Sequence, residues 1–216
     1  VVLYTKGRGK VRAVAKGVRK TRSKFGARLE PTGHVALQLY EGRELDIVTQ
    51  AESMSALAPL RDDLDRLTRA TALLEAVDTV AQDRQADSRL YAMLVGALRT
   101  LAERDHPLVV PAFFLKLLAH EGFQPRVDAC VTCDLEDPLV AFDLDEGGLL
   151  CSEHRRGSSV SPEAVAVLRL VLGGRLGEAL NAAPDATTLE VEALATRTLE
   201  HHLERRLRSV TLLPHT

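Results

Sequence analysis

Over residues 1–53 apolar and polar positions alternate in short runs. VVLYT leads through the glycines of KGRGK into VRAVAKGV, and HVALQLY passes the turn-like EGRE into LDIVTQA. Runs of this length, rich in valine and broken by glycine, predict strands joined by hairpin turns. Strand side chains point to opposite faces in turn, so Val11, Ala13 and Ala15 share one face while Lys10, Arg12, Val14 and Lys16 share the other. Val35, Leu37 and Leu39 alternate with Ala36, Gln38 and Tyr40, the signature of a half-buried antiparallel strand. Four or five such strands predict a small β-barrel.

From about residue 54 the period lengthens. Leu57, Leu60, Leu64, Leu67, Ala70 and Leu74 recur at helical spacing, and further helices are predicted over about 88–103 and 107–121, the last stopping at Gly122. Between about 123 and 157 periodicity disappears, and Pro125, Pro138, Gly147, Gly148 and Gly157 punctuate a segment that holds every cysteine. Ser161 as N-cap and Pro162 at the first helical position then start a helix that carries Val165, Leu168 and Leu172 and ends at Gly173 and Gly174. A final helix over about 188–208 places Val191, Leu194, Ala195, Thr198, Leu199, His202 and Leu203 on one stripe. The chain therefore reads as α+β: a β-barrel domain over 1–53, and a helical domain over 54–216 with an insertion at about 123–157.

Charge changes the picture of the strands. Ten lysines and arginines fall within residues 1–30 against the single acid Glu30, although the whole chain carries a net charge of −2. Interleaved with Val11, Val14, Val18 and Phe25, these cations resemble the outward face of folded strands and not a solvated tail, and point to a polyanionic partner. Lys10, Arg12, Lys16, Arg19, Lys20, Arg22, Lys24 and Arg28 are the candidate phosphate contacts. Such contacts confer affinity with little sequence selectivity. Tyr4, Phe25 and Tyr40 are the aromatics available there for base stacking, but ordinary packing accounts for each singly. No run is long and apolar enough for a membrane span and no signal sequence opens the chain, so a cytoplasmic protein is expected. The opening VVLYT reads as a strand entered part-way, with further residues expected before it.

The sharpest local motif is Cys130-x-x-Cys133 followed by Cys151-x-x-His154. Two short-range ligand pairs joined by a hairpin can surround a tetrahedral zinc ion with three thiolates and one imidazole, a closed set suited to a structural metal. An unrelated thiol pair and surface histidine is the plainer account of the same residues. No phosphate loop, nucleophile elbow, H-E-x-x-H or dinucleotide fingerprint is present. Asp62, Asp63 and Asp65 read as a solvated helix face, His106 and His120 stand alone, His201 reads as surface, and His202 reads as a satisfied core histidine. These residues give no grounds for an enzyme.

Taken in order, the segments GKVRAVAKGVRKTRSKFGARLEP, HVALQLY, EGRELDIVTQAE, FFLKLLAHEGFQP and ACVTC…GGLLCSEH resemble the bacterial RecO family of recombination mediators, in an actinobacterial-looking form. The resemblance implies an OB-type N-terminal barrel, a helical domain and an inserted zinc ribbon. It also implies binding of single- and double-stranded DNA, annealing of complementary strands, and action with RecR to load RecA onto DNA coated by single-stranded-DNA-binding protein, in the cytoplasm and at the nucleoid. Relatives have an opening strand before the equivalent of VVLYT, and many close the zinc site with cysteine where this chain has His154. Lys116, beside Phe113, Phe114 and Leu117, is a candidate contact for the acidic tail of single-stranded-DNA-binding protein. Two other functions fit the same motifs: a zinc-ribbon factor of transcription or translation, and a metal-dependent nuclease.

Overall fold

The computed structural model describes residues 1–18, 20, 23, 25–54 and 57–213. Two compact units divide the chain, Val1–Asp105 and His106–Thr216. The change from strand to helix at 53 to 54 lies inside the first unit.

In that first unit β1 (Val2–Thr5), β2 (Gly9–Val14), β3 (Val35–Tyr40) and β4 (Asp46–Ser53) form one sheet in the order β1-β2-β4-β3. β1 and β2 are an antiparallel hairpin, as are β3 and β4, while β2 runs parallel to β4 with Ala13 opposite Asp46. This order leaves β1 and β3 as the outer strands. The alternation holds: Val11, Ala13 and Ala15 are buried, and Ala13 and Ala15 pack with Phe25, Val48 and Ala51. Phe25 is core and Tyr4 sits 6.3 Å from the ring of Tyr91, so of the three aromatics considered for stacking only Tyr40 is largely exposed.

The helical run that follows is not continuous. α1 (Pro59–Asp62) is a single turn, and Asp63 leaves helical geometry at φ −132° so that its side chain accepts from the Arg66 N–H at 2.9 Å and caps α2 (Leu64–Val80). The break rotates Leu64 out of the expected stripe to 76% exposure, leaving Ala70, Ala72, Leu73, Ala76 and Val77 as the buried apolar positions, with Arg69 buried beside them. α3 (Ser88–Glu103) is capped by Asp87 and buries Leu90, Leu94, Leu98 and Leu101 at spacings of three and four.

The loop between α2 and α3 returns to the sheet. Arg84, at φ 60°, donates its N–H to the Lys10 carbonyl at 2.9 Å, and a Cβ on Gly9 would lie 1.8 Å from the Gln85 carbonyl oxygen. Only glycine admits that approach. Asp46, fully buried, then accepts from Arg84 at 2.8 Å and lies 3.4 Å from Arg8, with Glu41 bridging the same two guanidiniums.

In the second unit α4 (Val109–His120) is buried on most of its faces, and packs with α5 (Pro162–Leu172) and α7 (Ala186–His202). His106 is no isolated surface group: buried, it accepts the Leu108 N–H on Nδ1 at 3.1 Å and meets the Ala182 carbonyl with Nε2 at 3.0 Å. Ser161 caps α5 as its sequence predicts, accepting from Ala164 at 3.1 Å. α7 ends six residues short of its predicted limit, and Glu204 at φ 49° turns the chain so that Leu207 is buried outside the helix, its N–H held by Glu200 at 2.8 Å. His202 is half-buried and packs against the exposed Phe123 with ring centroids 3.9 Å apart and planes tilted by 43°, at the surface and not in a closed core. The segment between α4 and α5 folds as β5 (Leu139–Asp143), β6 (Gly148–Cys151) and the short β7 (Ser158–Ser159), in the order β6-β5-β7. α6 (Leu176–Ala179) completes the unit. No helix among the described residues is long and apolar enough to cross a membrane.

Candidate nucleic-acid interface and metal centre

The outward face of β2 carries its cations where alternation puts them, but two of them are already engaged. Lys10 Nζ donates to the Asp78 carbonyl at 2.6 Å, lies 3.4 Å from the Asp78 carboxylate and 4.0 Å from that of Asp83, and its side chain is only 12% exposed. Arg12 Nε meets Asp83 at 3.4 Å with about half its side chain in solvent. Both acids come from the end of α2 and the loop after it. An ammonium so enclosed cannot also reach a phosphate, and a guanidinium facing a carboxylate has its field largely cancelled.

Beyond the strand several of the described cations are exposed. Lys16 and Lys20 are exposed and pair with nothing among the described residues, as does Lys6 in the β1–β2 turn. Gly17, at φ 80°, turns the chain there so that the two lysines lie on the segment that leaves the sheet. Arg28, in the short turn Gly26–Leu29, is exposed and donates to the Phe25 carbonyl at 3.2 Å. Arg19, Arg22 and Lys24 lie outside the described residues. The balance of Asp78 and Asp83 against Lys10 and Arg12 escapes a reading by local pattern, because these acids sit on a helix end far along the chain.

Lys116 on α4 is half-buried, and desolvation lowers the pKa of its amine. Phe113, Phe114 and Leu117 beside it in sequence are all buried, so they supply core and not an open apolar groove. Asp62, Asp63 and Asp65 are exposed, and Asp63 is used as the helix cap. Among the described residues the one cluster with metal-ligating composition is elsewhere.

Cys130, Cys133, Cys151 and His154 bring their ligand atoms within 4.8 Å of one another. The first pair sits on a turn closed by the Asp134 N–H donating to the Cys130 carbonyl at 3.0 Å, with Asp134 at φ 61°. The second pair follows from the end of β6, where Gly148 is needed because a Cβ would lie 2.5 Å from Val131 and 2.7 Å from the Arg126 carbonyl. Cys133 and Cys151 sulfurs are 3.8 Å apart, and Cys151 Sγ is 3.3 Å from His154 Nδ1. A tetrahedral ion at usual zinc bond lengths requires edges of about 3.8 Å between sulfurs and about 3.6 Å from sulfur to nitrogen. The donor set fits. Burial pushes the Cys130 thiol up, but N–H groups of Cys151, Thr132 and Cys133 aimed at its sulfur outweigh that and hold it at about 6, so it is readily a thiolate. At Cys133 the Leu135 N–H favours the thiolate, while burial and the neighbouring sulfurs prevail and raise the pKa.

The acidic ribbon around this cluster is neutralised by arginines from its flanks. Arg126 meets Asp134 at 2.6 Å, Arg156 meets Asp143 at 2.6 Å and Glu146 at 2.8 Å, and Arg169 meets Asp137 at 3.2 Å. His201 joins from α7, 3.3 Å from Asp145. These pairs hold the hairpin to its surroundings and leave it with no surplus of positive charge for a polyanion.

The family model described as Recombination protein O N terminal matches residues 1–57, and the one described as Recombination protein O C terminal matches residues 61–211. The two matches cover nearly the whole sequence in the order strands, helices and thiolate–imidazole cluster, and the chain belongs to the RecO family of DNA repair and recombination proteins.

Proposed function

We propose that this protein is a non-enzymatic recombination mediator that binds single- and double-stranded DNA, anneals complementary strands and, with RecR, helps load RecA onto DNA coated by single-stranded-DNA-binding protein. The observation that supports DNA contact most directly is that Lys16 and Lys20, on the segment that leaves β2, are exposed and have no partner among the described residues. Cations without an internal acid can replace the counterions of a phosphate backbone, and their attraction is indifferent to base sequence, as annealing of arbitrary strands requires. In this reading the metal is zinc and its role is structural. Four protein ligands leave it no open coordination position, so it ties the ribbon and polarises no substrate.

Annealing of complementary oligonucleotides coated with that protein tests the proposal. Acceleration is expected, and is expected to fall when Lys16 and Lys20 are changed to Ala in a variant of unchanged stability. Failure of the folded protein to accelerate annealing refutes the mediator reading and favours a ribbon-bearing binding factor. Cleavage of labelled DNA by homogeneous, zinc-replete protein with magnesium or manganese refutes the non-enzymatic part.

A further inference from the structure

An open cavity of about 320 Å³ in the first unit is lined by the turn Gly26–Leu29, the loop that follows it, the end of β4 and α1. Its chemistry is one-sided. Arg28, Arg61, His34, Thr32 and Ser53 supply the polar lining, and no described lining residue is acidic. None of the residues outside the described set is Asp or Glu, so none of those can bring a carboxylate to it.

Arg61 donates from Nη1 to the Ala27 carbonyl at 3.0 Å and has no acidic partner among the described residues. A neutral carbonyl anchors the guanidinium without cancelling its charge. Arg28 donates from Nη1 to the Phe25 carbonyl at 3.2 Å. Between them the wall is tightly built. A Cβ on Gly33 would lie 2.4 Å from the Arg28 carbonyl oxygen, which presses the loop onto the turn, and Thr32 beside it is held at φ 67°. A non-glycine residue in the left-handed region persists only where its surroundings over-determine it, and such residues gather at ligand clamps. Thr32 is 5% exposed, yet its Oγ1 has no hydrogen-bond partner among the described residues. A buried hydroxyl without a partner points to an absent ion or water. Burial and the nearby Arg99 lower the pKa of His34, and its Nε2 lies 3.0 Å from the Tyr91 hydroxyl.

We propose that this cavity seats one phosphate group of a nucleic-acid backbone, with Arg61 and Arg28 as its guanidinium contacts and the Thr32 hydroxyl as a further donor. The planar fork of arginine matches the oxygens of a phosphate. This rests on the DNA-binding reading and extends it to Arg61, a residue of α1 beyond the strands.

The test uses the whole chain, an oligothymidylate measured by fluorescence anisotropy across a salt series, and inorganic phosphate titrated against amide resonances. Arg61→Ala removes a guanidinium. Ser53→Asp places a carboxylate in the wall and leaves both arginine–carbonyl bonds intact, which separates lost charge from lost folding. Each variant is expected to flatten the slope of log K against log salt by about 0.7, the value of one single-strand phosphate contact. Inorganic phosphate is expected to shift amides within residues 26–35 of the wild type and not of Ser53→Asp. Wild-type slopes in both variants overturn the proposal while the DNA-binding reading stands. Shifts with phosphate alone, without a change in oligonucleotide slope, assign the cavity to a free anion and also overturn it. A wild type that binds no oligonucleotide defeats both readings.

Discussion

Asp83→Asn is the substitution that most directly asks whether the ion pairs on β2 withhold charge from DNA. Lys10 is enclosed by Asp78 and Asp83 at 2.6 to 4.0 Å, and Arg12 faces Asp83 at 3.4 Å, whereas Lys16 and Lys20 face solvent. Each single-strand phosphate neutralised contributes about −0.7 to the salt slope, so a fourfold rise in salt weakens binding about 2.6-fold per contact. Changing Lys16 and Lys20 together to Ala should flatten the slope by about 1.4, a loss of roughly sevenfold salt sensitivity over that range. Arg12→Ala should leave the slope as it is, because that guanidinium is spent on Asp83. Asp83→Asn should release it and steepen the slope by about 0.7, with tighter binding at low salt. The assay is anisotropy of a labelled oligothymidylate at several salt concentrations, with thermal unfolding as the control for each variant. Flattening by Arg12→Ala equal to that of one lysine, or an unchanged slope in Asp83→Asn, would refute the reasoning.

Three other outcomes follow from the geometry. The purified chain should carry one zinc ion, and Cys130→Ser should both lose it and lower the unfolding temperature; metal analysis showing full occupancy in that variant contradicts the assignment. Burial raises the Asp46 carboxyl pKa, but Arg84, the Gly42 N–H and Arg8 together hold it below its ordinary value, so its contribution is complete above about pH 4 and is lost as pH falls through the lower folded value. Acid unfolding of the wild type should therefore steepen below about pH 4 relative to Asp46→Asn, and identical acid limbs would exclude Asp46 as the source. Leu64→Ser should change stability by no more than about 0.5 kcal/mol, since the side chain is 76% exposed, whereas Leu73→Ala should cost about 3 kcal/mol, both measured by urea unfolding.

Those parts of the fold governed by local rules were legible in the sequence. Strand alternation places Val11, Ala13 and Ala15 inward, Ser161 and Pro162 start α5, and the spacing of Cys130, Cys133, Cys151 and His154 identifies the cluster. Where apolar periodicity continues past a local stop, the pattern misleads. Asp63 caps a new helix in the middle of a leucine repeat, and the chain turns at Glu204 although Leu207 still has a buried place to fill. The cations of residues 1–30 are legible as a group, but which of them are exposed is not legible one by one. Which of them is available depends on Asp78 and Asp83, and no local pattern shows that a helix end will fold back over β2. Arg61 carries no motif of its own and acquires meaning only beside Thr32 and Arg28.

The return of the 81–87 loop to the sheet separates the unit of descent from the unit of folding. The N-terminal family match stops at residue 57, yet Arg84 and Gln85, which seal Asp46 and press on Gly9, lie within the C-terminal match. A fragment cut at the homology border would keep the buried carboxylate and discard one of its two guanidiniums, a change that strands charge in the interior. Soluble pieces for dissecting this protein should instead be cut after Asp105, where the strands take their own helices with them.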